Sequence, residues 1–429
     1  MKTLLSSLVL GLILCFLSVA NAWLPNEDKI RGVNLGGLFI VEPWMMEDEW
    51  RSMGCGGRND EFQCVQALGQ AAADAAFQRH WGSWITQDDI NQIKSNGLNT
   101  VRIPLGFWIH EALVRPGELF PRGGFAYLEN VCRMATSAGL YIILVLHAAP
   151  GGQSPNQQFT GKAVEQVGFF NSGNYERAYQ WLEWITSVRH THSAFGNVGA
   201  IEVVNEPVPG NGDQRGSLLY EYYPTAWRRI RAAEDKLHVT LNNRLHIQMM
   251  DARWNGNMGD PNQGLGGIDL SFAFYDDHNY RAYDCNPGDS DKCFVPPKRR
   301  DYLFHSCFED LGGRSPVIVG EWSLATSHPN GNEFDINKPD AVSYYRSWFG
   351  AQIHSYEKQR GWIFWSWKVN WIGGRDDWRW GYQQAVAAGV IPRSNPSKAN
   401  DPDVCENLKT LIPDFWQSNA TDSYKHDVV

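Results

Sequence analysis

Positive charge is scarce in this chain. Lysine and arginine number 38 against 47 aspartates and glutamates, a formal net charge of −9, and the cations are nowhere clustered. Without a basic stripe to neutralise phosphates, nucleic acid is excluded as a partner. After Ala22 no run is long and apolar enough to cross a bilayer, which leaves no membrane partner. No Cys-x-x-Cys pair exists to seed a zinc site, and no Gly-x-Ser-x-Gly turn to present a serine nucleophile. Gly161-Lys162 fails as a phosphate loop, because Asn156 stands where the first glycine belongs and Ala163 replaces Ser/Thr. Neither a metal nor another cofactor is expected. Low-complexity linkers and short-period repeats are also missing, so one domain is the economical reading.

The two ends separate from that domain. Residues 1–22 carry one early cation, Lys2, an apolar run from Leu4 to Ala20, and Ala20-Asn21-Ala22 in small-x-small order. This is expected to be a secretory signal peptide, giving a secreted chain found outside the cell or in a cell wall. Residues 419–429 form a polar tail holding the sequon Asn419-Ala-Thr421. Between them, residues 23–418 make the expected catalytic domain, acting as a monomer. In an oxidising compartment cysteines pair by default. Cys55 with Cys64 and Cys285 with Cys293 read as local staples, Cys307 with Cys405 as a clamp on the C-terminal segment, and Cys132 as a buried odd thiol on a helix.

What the chain has in abundance is strand and helix in alternation. Thr86-Gln-Asp-Asp89 opens a helix in the manner of a capping box. Apolar strand-like runs are Ile30–Leu35, Thr100–Pro104, Tyr141–Leu146, Ala200–Pro207, Leu245–Met249, Leu270–Phe274, Pro316–Trp322 and Gly361–Trp365, with a helical pattern between nearly all of them. Eight such units predict an α/β fold of one kind, a single (β/α)8 TIM barrel with long loops. A doubly wound open sheet is the alternative.

In a parallel barrel, residues at strand C-termini line one mouth. Six strands end there in polar or aromatic groups: Arg102, His147, Asn205-Glu206, His278 with Tyr280, Glu321 and Trp365. Two glutamates at the ends of distant strands suit hydrolysis of a glycosidic bond, which needs two carboxyls flanking it. A sugar alkoxide leaves poorly, so one carboxyl must deliver a proton to it, and Glu206 takes that part. The other, Glu321, must be ionised to attack the anomeric carbon, and Arg102 is the cation expected to favour that form. Asn205 is placed to meet the sugar 2-hydroxyl; His147, His278 and Tyr280 to orient hydroxyls and the glutamates; Trp365 to floor the reacting ring. Trp44, Trp108, Trp254, Trp371, Trp378 and Trp380 lie in loops after strands, as platforms for neighbouring sugars or as loop core.

These residues fall in stretches that resemble glycoside hydrolase family 5 over nearly the whole mature length, and in particular its fungal cell-wall β-glucanases. The matching stretches are Arg31-Gly-Val-Asn-Leu-Gly-Gly37 with Glu42-Pro43, His80-Trp81, Asn99–Pro104, Leu146–Gly151, Asn205-Glu-Pro207, Asp277–Tyr280, Gly320–Ser323 and Trp362–Lys368. The resemblance implies a retaining mechanism with Glu206 as proton donor and Glu321 as nucleophile, and a role for Glu42 in holding the sugar. Gly37–Met45 and Met250–Trp254 look closer to the endo-β-1,6-glucanases than to the exo-acting β-1,3-glucanases, so β-1,6-glucan is the polysaccharide substrate favoured. Exo-cleavage of β-1,3-glucan and a non-catalytic carbohydrate-binding protein are the alternatives.

Overall fold

The computed structural model describes residues 29–283, 298–309, 311, 316–326, 333–373 and 377–411. The expected signal peptide, the Cys285 and Cys293 pair, the sequon and the polar tail lie outside the described residues. Eight strands run parallel and close on themselves: β1 (Ile30–Asn34), β2 (Thr100–Gly106), β3 (Tyr141–Ala148), β4 (Val198–Glu202), β5 (His246–Met250), β6 (Ala273–Asn279), β7 (Val317–Trp322) and β8 (Gly361–Phe364), each beside its sequence neighbour, with β8 against β1. The open-sheet alternative falls with that closure. At the seam Ile30 pairs with Gly361, where φ is +118° and an added Cβ would come within 2.0 Å of the Ile30 carbonyl oxygen. Only glycine fits the closing strand there.

Crossover helices cover the outside: α1 (Gln87–Ser95), α2 (Gly124–Ser137), α3 (Ser172–Thr191), α4 (Tyr223–Lys236), α5 (Arg299–Phe308) and α6 (Ala341–Tyr356), followed after β8 by α7 (Tyr382–Ala387) and α8 (Val404–Leu411). The link from β5 to β6 is turns and short 3-10 segments. The Thr86/Asp89 capping box forms at the start of α1, where each side chain satisfies the other residue's backbone N–H. Cys55–Cys64 and Cys307–Cys405 are disulfide-bonded, and Cys132 is a buried free thiol on α2.

Alternation along the strands sorts side chains between two faces. Val101, Ile103, Leu105, Ile142, Leu144 and Ile201 belong to the large core under the helices. Ile30, Tyr141, Ile143, Val145, Ala200, Phe274, Ile318 and Ile363 form a separate cluster inside the ring. Each fully buried aliphatic or aromatic side chain of this kind contributes roughly 1.5–3 kcal/mol. Two residues further along the same inward face stand Arg102, Glu202 and Asp276, all fully buried. The interior is thus greasy at the bottom and ionic towards the top.

Strand ends differ from those the pattern predicts, and on β2, β4 and β6 the difference bears on the mouth. β2 runs through Pro104 to Gly106, so Arg102 is mid-strand; the register shifts between Leu105 and Gly106, and the proline's missing N–H sits beside that irregularity. β4 stops at Glu202, and Asn205 and Glu206 stand in the turn beyond it. β6 begins three residues late, because Asp269 accepts from the Ser271 N–H and winds Leu270–Phe272 into a 3-10 turn. It then carries Asp276, Asp277 and His278 within the strand.

Candidate active site

Arg102 is the hub of the mouth. Its Nε and Nη2 donate to Glu202 Oε2 (3.0 and 2.8 Å), Nη2 also to Asn205 Oδ1 (2.8 Å), and Nη1 to Asn34 Oδ1 (2.9 Å) and Glu321 Oε1 (2.6 Å). All five N–H bonds of the guanidinium therefore end on protein groups. None is left for a sugar hydroxyl, so this arginine, grouped from the sequence with the substrate-binding residues, holds Glu321 and Asn205 instead. Burial opposes its charge, but Glu202, Glu321 and Asp276 hold its pKa above the ordinary arginine value.

Glu321 is the last residue but one of β7 and is 5% exposed. Besides Arg102 it accepts from the Tyr280 hydroxyl at Oε2 (2.8 Å), so each oxygen has a donor fixing it. Burial holds the pKa of its carboxyl above the usual range, with Glu206 adding to it and the nearby His278 and Arg102 opposing it only in part. Glu206 reaches the same space from the turn after β4. His278 Nδ1 lies 2.5 Å from Glu206 Oε1 and 3.5 Å from Glu321 Oε2. An oxygen of each glutamate and that nitrogen all lie within 4.8 Å of one another. This is on the side of the retaining separation, about 5–5.5 Å, and short of the inverting one, about 6.5–9.5 Å. Burial disfavours the imidazolium of His278, yet the surrounding carboxylates of Glu321, Asp276 and Glu206 keep its pKa well above the ordinary histidine value. A doubly protonated ring has no lone pair for a cation, so these three side chains do not suit a metal ion.

Glu206 has φ of +42°, a left-handed conformation that costs a non-glycine residue roughly 1–2 kcal/mol. The strain is held by neighbours. Ser154 Oγ donates to the Glu206 carbonyl. Gln153, wholly buried, donates to the carbonyls of His147 (2.7 Å) and Asn205 (3.0 Å) and accepts from the Ala149 N–H (3.0 Å). The loop after β3 thereby grips the turn that carries Glu206.

Around the carboxylates several buried polar atoms have no hydrogen-bond partner among the described residues: Asn205 Nδ2, His147 Nδ1 and Glu42 Oε1. Glu42, just after β1, accepts from Trp44 Nε1 through its other oxygen (2.9 Å). Burial, with Glu321 and Glu206 adding to it, pushes its pKa up to about 8, so it is protonated at neutral pH. Burial and the nearby Arg102 and His278 charges push His147 well below the ordinary value and keep it neutral. Its ring stacks on Trp365 at 5.8 Å and 9°. Trp254 meets His278 edge-on, and Trp380 lies against both Trp44 and Tyr280, so these three tryptophans line the mouth. Trp108, 2% exposed and stacked on Phe120, is loop core, and Trp378 packs on Tyr345. Trp371 is 42% exposed.

Sequence reasoning passed over Asn34, Gln153, Glu202 and Asp276. A charged residue inside an otherwise apolar strand was the available signal for Glu202, because such a group must face a partner.

The sequence profile described as Cellulase (glycosyl hydrolase family 5) matches residues 65–370. Glucan endo-1,6-beta-glucosidase B of Emericella nidulans is 50% identical over 372 residues, 86% of this chain and 87% of that relative. Probable glucan 1,3-beta-glucosidase A of Aspergillus clavatus is 30% identical over 411 residues, covering 86% and 88%. Among solved structures, rutinosidase from Aspergillus niger superposes with a TM-score of 0.63 at 20% identity, covering 85% of this chain and 98% of that one, which is a likeness of fold.

Proposed function

The chain belongs to glycosyl hydrolase family 5, and from that premise we propose that it is a secreted, retaining endo-β-1,6-glucanase in which Glu206 is the acid/base and Glu321 the nucleophile. The observation that carries the roles is the approach of the two carboxyls to within 4.8 Å beside His278. Support for the linkage is the 50% identity to a relative named for endo-1,6 cleavage, against 30% to one named for 1,3 cleavage. Export rests on the signal-like residues 1–22.

In the first step Glu206 gives its proton to the glycosidic oxygen while a Glu321 oxygen bonds to the anomeric carbon, and the bond from that carbon to the leaving sugar breaks. In the second, Glu206 takes a proton from water as the water oxygen displaces Glu321 from the same carbon. Arg102 and Tyr280 aim the two oxygens of Glu321. Asn205 Nδ2, unpartnered and held by its own Oδ1, offers a donor to the 2-hydroxyl, a contact that strengthens in the transition state. Neutral His147 and protonated Glu42 meet other hydroxyls, and Trp365 floors the ring.

Incubation with pustulan (β-1,6), laminarin (β-1,3) and carboxymethylcellulose, with products sized over time, tests this. Rapid shortening of pustulan into a ladder is expected. Glucose released singly from laminarin, or preferential attack on carboxymethylcellulose, replaces the linkage assignment, and binding without turnover replaces catalysis altogether. Glu206→Gln is expected to lose roughly 10²–10⁴-fold in rate, and Glu321→Ala roughly 10⁴-fold or more, the scale of a removed nucleophile. Retention is read from the anomer first released from a β-linked substrate, which is β.

A further inference from the structure

Asp276 is fully buried, and neither of its oxygens has a hydrogen bond among the described residues. A buried carboxylate left like this is costly unless a charge compensates it. Two cations lie near: Arg102 Nε at 3.5 Å and His278 Nε2 at 3.6 Å. Arg102 has all its N–H bonds directed elsewhere, so its pull on Asp276 is Coulombic alone. His278 Nε2 has no other partner and faces the carboxylate. The adjoining strand leaves room for this pair, since a Cβ at Gly320 would come within 2.0 Å of Asp276 Oδ1.

The other edge of the same ring faces both candidate catalytic carboxylates. In the double displacement proposed above, the couple starts with its negative charge on Glu321 and its proton on Glu206, and in the glycosyl-enzyme Glu321 is a neutral ester and Glu206 the anion. One charge crosses the site while the total stays at minus one. His278 Nδ1 stands between the two. We propose that Asp276 is a positioning residue that holds His278 as an imidazolium through Nε2, so that one Nδ1–H faces the negative charge on either glutamate throughout the cycle. The proposal rests on the assignment of Glu206 and Glu321 given above.

The charged and titratable groups around the ring are Arg102 on β2, His147 on β3, Glu202 on β4, Glu206 in the turn beyond it, Asp276 and Asp277 on β6, Tyr280 after it, and Glu321 on β7. Asp277 is itself bridged to Arg253 at 3.0 Å, and Glu202 to Arg102, which leaves Asp276 as the anion with no donor of its own.

Asp276→Asn removes the charge at nearly constant volume. Circular dichroism establishes folding, and kcat and KM on pustulan are then measured across pH. The expected result is a kcat lower by roughly ten- to a hundredfold, the scale of losing a carboxylate that orients a metal-bound histidine, with KM within about twofold. The alkaline limb of kcat/KM moves to lower pH. An unchanged kcat and an unchanged pH profile overturn the proposal. A second measurement uses the unaltered enzyme labelled with ¹⁵N-histidine, with the His278 signal assigned by its absence in His278→Gln. The ring is expected to be doubly protonated at about pH 7.5, a unit above an ordinary histidine. A neutral ring there overturns the proposal even if Asp276→Asn fails to fold. Full activity in Glu321→Ala instead sinks the underlying catalytic assignment, whatever Asp276→Asn does, so the two failures are distinguishable.

Discussion

Glu42 is an acid that burial has made into a donor. Its pKa of about 8 stands above the ordinary 4.5, so between those values the folded chain holds a proton that the unfolded chain has released. Stability from this group is whole below the ordinary carboxyl range and declines as pH rises towards 8. Loss of the proton also adds a further negative charge beside the couple of Glu206 and Glu321. We expect KM on pustulan to climb above about pH 8 in the unaltered enzyme and to stay level across that pH in Glu42→Gln, which cannot ionise; a parallel rise in the variant refutes the account. At this scale the sequence was legible where a polar or aromatic residue closed an apolar run, as Glu321 and Trp365 do. Glu202 and Asp276 escaped because their burial depends on Arg102, a partner on another strand, and charge alone does not reveal such pairing.

The turn after β4 is an element whose shape is imposed from outside. Nothing in Asn205-Glu-Pro207 requires a left-handed glutamate, and Gln153 and Ser154 from the neighbouring loop fasten it. Gln153→Ala would strand two buried carbonyls and one N–H. We expect a loss of roughly 2–4 kcal/mol in urea unfolding, at 1–3 kcal/mol for each orphaned group with partial relaxation. Turnover should fall by up to about a hundredfold, the cost of a displacement near 1 Å. A variant as stable and active as the parent would show that the turn holds itself. Element types were readable from periodicity, and α1 even showed its capping box. Ends were less so: β4 and β6 each depart from the apolar run, since Asp269 winds a turn where Leu270–Phe272 looked like strand, and the ionic interior lets Asp276–His278 extend it.

For the whole molecule, the two disulfides among the described residues differ in reach. Cys55 and Cys64 are 9 residues apart, Cys307 and Cys405 98, the latter tying α8 to α5 across β7, α6, β8 and α7. Restricting the larger loop of the unfolded chain is worth about 2 kcal/mol more on chain-entropy grounds. Cys307→Ser with Cys405→Ser is therefore expected to lower Tm more than Cys55→Ser with Cys64→Ser, compared by calorimetry without reductant; the reverse order would place the stabilisation in local geometry. Among the described residues no helix is long and apolar enough to cross a membrane.

The ring also closes last strand upon first, with β8 hydrogen-bonded to β1. Arg102, Glu206, His278 and Glu321 are all synthesised before Gly361, yet the wall they stand in is incomplete until that strand arrives. A nascent polypeptide halted short of it would own all four of these side chains and have no vessel to gather them in. Competence therefore comes at one moment, near the end of translation, and not by degrees.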